Sequence, residues 1–221
     1  MTDAVTMVKD ADEVAAGRAA AGQDARKRRQ IIDGARRMFL AKGFDATSMS
    51  DIAEEAGVSK GTLYVYFASK EDLFAALVTE EKAIHFPAIF ALDPADHDVG
   101  AVLTRLGRDF ARFLMAPQVV MATRTVVSMG DRMPQLAAEF YEQGPRQCAG
   151  RLAQYFEAQV SAGVLAIDDL YLAAAQFLEM TQATLVRPLM FGAAQASSDV
   201  RVDAVVDSAV KVFLAAYAPA A

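Results

Sequence analysis

The stretch from Thr47 to Phe74, TSMSDIAEEAGVSKGTLYVYFASKEDLF, constrains this chain most, because two helix starts and a forced turn follow one another closely within it. Ser48 precedes Asp51 by three positions. That is the spacing of a capping box, in which a hydroxyl and an acid each satisfy an otherwise orphaned backbone N–H. Behind it Met49, Ile52, Ala53 and Ala56 recur at helical spacing and predict a short helix with one apolar face. Gly57 then stands where the chain must leave through a left-handed residue, which costs glycine least. Val58 is placed to fill the angle between two helices, and Ser59 to cap a second one running from about Lys60 to Phe67. In that helix Leu63 and Phe67 share the inner face, while Gly61 and Tyr64 lie elsewhere. Two short helices joined by such a turn can seat the second in a DNA major groove.

The pieces Thr47-Ser48, Asp51-Ile52-Ala53, Ala56-Gly57-Val58-Ser59, Gly61-Thr62-Leu63-Tyr64, Tyr66-Phe67 and Ser69-Lys70-Glu71 form one ungapped run. The run resembles the DNA-binding signature of the TetR/AcrR family of bacterial transcriptional regulators. The resemblance implies an all-α fold, with a three-helix helix-turn-helix (homeodomain-like) head on a larger helical body for ligand binding and dimerisation. It also implies DNA contacts at Thr47, Ser48, Ser59, Lys60, Gly61, Thr62, Tyr64, Tyr66 and Lys70. Lys60 can reach a base edge or a phosphate, Gly61 admits close backbone approach, and Thr62 offers a hydroxyl and a methyl suited to thymine. Tyr64, Tyr66 and Lys70 match phosphate-contacting positions, and Thr47 and Ser48, at a helix N-terminus, can do the same with hydroxyl and backbone N–H groups. Val65 stands where relatives often carry an aromatic, and it is assigned to packing.

A net charge of −6 is unusual for a DNA binder, but the charge is unevenly spread. Residues 24–50 hold seven Lys or Arg against three Asp, and Arg26-Lys27-Arg28-Arg29 opens the first helix, expected to run to about Lys42 and stop at Gly43. A basic footprint at one end of an acidic chain fits a protein that grips phosphate with that end alone. Residues 1–23 are rich in Ala, Gly and Asp, and are expected to be a mobile tail without a signal-peptide pattern. No run of apolar residues is long enough to span a membrane. The single cysteine, Cys148, has no partner for an internal disulfide. Together these predict a cytoplasmic protein.

The expected domains are the tail (1–23), the helix-turn-helix domain (24–70) and a helical body (71–221). A long helix from Lys70, kinked or ended by Pro87, should link head and body. Helices are then predicted near 98–115, 118–129, 134–162 (interrupted at Gly144-Pro145), 168–190 and 199–217, with Asp168-Asp169 capping the fourth. The run from Met121 through Gly163, continued by Ala173 to Phe177, resembles the C-terminal domain of AefR-like members.

His85 and His97 lack neighbours at ligand spacing, and there is no phosphate loop or serine elbow. Neither a metal, a cofactor nor an enzymatic role is expected. Met and Phe are abundant in the body, mostly as core, yet such residues also suit a pocket for varied apolar molecules. Phe113, Met121, Arg124, Phe140, Phe177 and Met180 are the pocket candidates, with Arg124 (or Arg187) as an anchor for a polar group. The last two helices carry more apolar residues than one buried side needs. Leu172, Leu185, Leu189, Val206, Val210 and Phe213 are therefore the candidate dimer face, which the resemblance implies is a four-helix bundle.

The expected function is a homodimeric, sequence-specific regulator, a repressor released from a palindromic operator by a small apolar or amphipathic effector. The competing readings are a helical carrier or enzyme with a vestigial head, and a DNA binder of low specificity governed by salt alone.

Overall fold

The computed structural model describes residues 24–193 and 199–219, all helix, turn or loop with no strand among them. The expected N-terminal tail and most of the loop before the last helix lie outside the described residues. The chain divides into two units, one ending at Val78 and the other beginning at Thr79.

The first unit contains α1 (24–42), α2 (Met49–Glu55), α3 (Lys60–Tyr66) and the start of α4 (Lys70–Ile89). Its core is made by Ile31, Ile32 and Phe39 of α1, Ile52 and Ala53 of α2, Leu63 and Phe67 at α3, and Leu73, Phe74 and Leu77 of α4. Phe39, Phe44 and Phe74 form an aromatic trio with centroids 5.3–6.1 Å apart. These contacts explain why the division falls eight residues beyond the expected 70/71 boundary: the first turns of α4 are core of the head. Gly34 brings α1 against α2. A Cβ there would meet the Ala56 Cβ at 2.8 Å and its backbone at 3.0 Å, so no side chain fits.

The second unit holds the rest of α4, then α5 (Val99–Met115), α6 (Pro117–Met129), α7 (Pro134–Tyr141), α8 (Gln147–Ser161), α9 (Leu170–Thr181), α10 (Val186–Met190) and α11 (Asp199–Tyr217). Its core gathers Leu103, Leu106 and Phe110 of α5, Leu152 and Phe156 of α8, Phe177 of α9, and Val206 and Phe213 of α11. The Phe213 ring stacks on Phe156 at 4.8 Å and meets Phe177 edge-on at 5.6 Å. Asp98 and Asp169 cap α5 and α9 by accepting from Ala101 and Leu172 N–H groups.

Two boundaries differ from expectation. The predicted break at Gly144-Pro145 is a π-helical turn, Glu142–Arg146, that carries α7 into α8. Pro145 lacks the N–H an α-helix would use, and the wider turn passes it without ending the helix. The predicted helix 168–190 is instead two, α9 and α10, broken where Thr184 adopts φ +64°. Arg201 donates to the Thr184 hydroxyl at 2.8 Å. Pro87 lies in the last turn of α4, consistent with its expected role in ending that helix.

Gly34→Ala is expected to destabilise the head despite alanine's better helix propensity. The propensity gain of about 1 kcal/mol is outweighed by an over-packing penalty of about 1–3 kcal/mol against backbone that cannot yield. Amide exchange in α1 and α2 should quicken; unchanged or slower exchange would contradict the close packing.

Candidate nucleic-acid interface

The surface in question is built by two short helices whose starts are fixed by their own side chains. At α2 the Ser48 hydroxyl accepts the Asp51 N–H at 3.1 Å, and the Asp51 carboxylate accepts the Ser48 N–H at 2.8 Å and the Ser48 O–H at 2.6 Å. The capping box is therefore complete. Gly57 takes φ +64°, the left-handed turn expected of it, with Val58 half-buried behind it. At α3 the Ser59 hydroxyl accepts the Thr62 N–H at 3.0 Å, and the two hydroxyls share a hydrogen bond of 2.8 Å.

This scaffold turns Leu63 and Phe67 inward and leaves Lys60, Gly61, Tyr64 and Val65 outward. Tyr64 is 54% exposed and Val65 82% exposed. The assignment of Val65 to packing is thus corrected: nothing in the head covers it. The basic start of α1 lies beside the far end of α3. The Arg28 guanidinium sits over the Phe67 ring at 5.3 Å. The half-buried Tyr66 hydroxyl donates to the Asp24 carboxylate, and loss of its proton beside that anion is disfavoured, so it titrates above the ordinary phenol value.

Two expected phosphate contacts are held inside the head instead. Thr47 is only 2% exposed, and its hydroxyl donates to the Gly43 carbonyl at 2.6 Å and lies 3.3 Å from that of Met38. It closes the end of α1 and cannot also reach a phosphate, which corrects the expectation. The Lys70 ammonium donates to the carbonyls of Phe44 (2.7 Å), Thr47 (2.9 Å) and Asp45 (3.4 Å) and lies over the Phe44 ring at 4.4 Å. A charge satisfied by three carbonyls positions the α1–α2 turn. Local spacing carries no sign of this, because the carbonyl partners are more than twenty positions away.

In the body the pocket candidates lie in several settings. Phe177 is fully buried core. The exposed Arg124 donates to the carbonyls of Leu189 and Met190 at the end of α10, so it caps a helix. Arg187 is exposed. Half-buried Phe113 lies against the rings of His85 (5.5 Å) and Phe86 (5.4 Å). Met121 and Phe140 are half-buried on α6 and α7. Met180, alone of the six, lines an open hollow of about 480 Å³ between α9 and α11, with Ala175, Val212 and Tyr217.

The candidate dimer face is largely corrected. Leu185, Leu189, Val206, Val210 and Phe213 are buried in this chain's own core, leaving only Leu172, 50% exposed, available to a second copy. α9 and α11 carry some apolar residues on their outer sides too, among them Leu172, Val200 and Val212, but the core side chains face inward. Cys148 is also buried, and burial pushes its thiol up to about 12, which leaves it protonated and inert at neutral pH.

Asp51 is held down to about 2, from 3.8, chiefly by the Ser48 hydroxyl, then by the Ser48 N–H and Lys42. A depressed carboxylate contributes stability above its unfolded value, and that contribution is lost as pH falls from 3.8 to about 2. Ser48→Ala should move the Asp51 midpoint back toward 3.8 in an NMR titration. An unmoved midpoint would mean that the box does not cause the shift.

Residues 31–77 match the family described as bacterial regulatory proteins, tetR family, and residues 101–219 match the AefR-like transcriptional repressor C-terminal domain. A putative TetR-family regulator from Mesorhizobium loti is 31% identical and superimposes with a TM-score of 0.81, covering 88% of this chain and 98% of that one. The flavonoid-responsive regulator FrrA is 35% identical with a TM-score of 0.71, covering 89% and 100%. The repressor AcnR of Corynebacterium diphtheriae is 37% identical over 57 residues, 26% of this chain and 30% of that protein. The matched stretch spans 18–30% of the first curated relatives' lengths. Both halves of the sequence and the fold thus agree, and the chain belongs to the TetR family of bacterial regulatory proteins, with an AefR-like C-terminal domain.

Proposed function

We propose that the protein is a homodimeric, sequence-specific DNA-binding regulator that represses transcription. One observation carries this reading: α3 presents Lys60, Gly61, Tyr64 and Val65 outward, while Thr47 and Lys70 spend their donors on carbonyls of the head. A helix so placed can enter a major groove, with the Arg26–Arg29 turn supplying affinity that ignores sequence. Within the expected contact set, Ser48, Ser59, Lys60, Gly61, Thr62, Tyr64 and Tyr66 remain on the DNA-facing side. Thr47 and Lys70 act from behind by holding the α1–α2 turn.

Dimerisation would use the outer faces of α9 and α11, where Leu172, Met180, Val212 and the hollow beside them lie, in place of the buried set. A two-fold pair would read two half-sites and so require a palindromic operator. Release would come from an effector bound in the body and preferring the DNA-incompetent state; a hundredfold preference shifts the balance by about 2.7 kcal/mol. FrrA, at 35% identity, is flavonoid-responsive, which makes planar phenolic molecules the first effector class to test. No described helix is long and apolar enough to cross a membrane.

The test is selection of genomic fragments by the purified protein at physiological salt, followed by affinity measurement. A palindromic site should emerge. Tyr64→Ala should weaken binding to it roughly tenfold with an unchanged melting temperature, whereas Lys70→Ala should lower head stability as well. Failure to enrich any duplex, or intact binding by Tyr64→Ala, would contradict the assignment.

A further inference from the structure

Among the described residues, Val65 is the most exposed of the large apolar side chains, and it sits on α3. A β-branched residue gains nothing locally there, because valine loses rotamer freedom in a helix that alanine would not. Scattered surface hydrophobics are common and need no explanation. Here, however, a second feature marks the same strip. Gly61 lies one turn before Val65 on the same face. A Cβ at Gly61 would meet nothing closer than the Ser59 Oγ at 3.8 Å, and its backbone is not left-handed. Nothing in the chain requires a glycine at that point. The strip thus carries no side chain at Gly61 and a stiff, exposed apolar one at Val65.

The major groove offers one apolar group, the 5-methyl of thymine; every other base-edge feature is a donor or an acceptor. We infer that Val65 is a specificity-determining residue that packs on a thymine 5-methyl in each operator half-site, with Gly61 letting the helix come close enough. The inference rests on the reading of α3 as the groove-inserted helix. It adds a base preference at one position, where an aromatic or polar side chain would select differently. Valine cannot hydrogen-bond a base, so this selectivity is purely apolar and depends on the methyl itself.

The experiment replaces each thymine of the selected operator by uracil, which deletes the methyl and leaves base pairing unchanged. Wild type and Val65→Ala are titrated with each full-length duplex. The expected result is one symmetric pair of positions at which uracil weakens the wild type, roughly fourfold per half-site for loss of one methyl-sized contact. Val65→Ala should bind the thymine duplex more weakly by a similar factor and be indifferent to uracil at that pair alone. Its exposed position predicts an unchanged melting temperature, and the wild-type uracil scan needs no variant at all. Indifference of the wild type to every uracil, or the same uracil pattern in both proteins, would overturn this inference while leaving DNA binding intact. If no duplex is enriched in the first place, the reading of α3 and this inference both fall.

Discussion

Two helices of seven residues each, α2 and α3, carry the surface to which function is assigned, and neither would hold its shape alone. Nucleation costs more than so few hydrogen bonds return, and isolated helices of this length are marginal in water. The caps at Ser48 and Ser59 contribute about 1 kcal/mol each. Burial of Ile52 and Leu63, both fully covered, contributes about 1.5–3 kcal/mol each. Burial therefore decides that the helices form, and the caps decide at which residue they begin. That second decision matters here, because a shift of one residue in α3 would rotate Tyr64 and Val65 by about a quarter turn.

The same logic divides the polar groups of the head. Thr47 and Lys70 saturate the carbonyls around the α1–α2 turn, so the hydrogen bonds that hold α2 in place are closed within the protein. The net charge of −6 does not oppose DNA binding. Charges are screened over about 10 Å at 0.1 M salt, so the local basic start of α1 governs attraction to phosphate more than the acidic body does.

The head was legible in the sequence to the level of its hydrogen bonds: the capping box, the left-handed Gly57 and the inward pair Leu63 and Phe67 follow from local spacing alone. Local spacing says nothing of partners that lie far away in sequence. Thr47 and Lys70 look like surface donors until the end of α1 and the α1–α2 turn supply their carbonyl partners. In the body, Leu185, Val206 and Phe213 are indistinguishable from an exposed stripe, since α9 and α11 carry apolar residues on both sides and periodicity does not say which side is covered. The break at Thr184 carries no glycine or proline, and a threonine with positive φ is invisible to turn chemistry. Val65 differs for another reason: an apolar residue in a helix suggests packing, and only its exposure shows that the chain leaves it bare.

The central claim is that the outer strip of α3 reads the major groove at two symmetric places. Methylation interference on the selected duplex tests this most directly, since guanine N7 reports the major groove and adenine N3 the minor one. Interference is expected at guanines in two major-groove patches separated by about one helical turn or a multiple of it. Interference confined to adenine N3, or no groove-specific pattern at all, would contradict it.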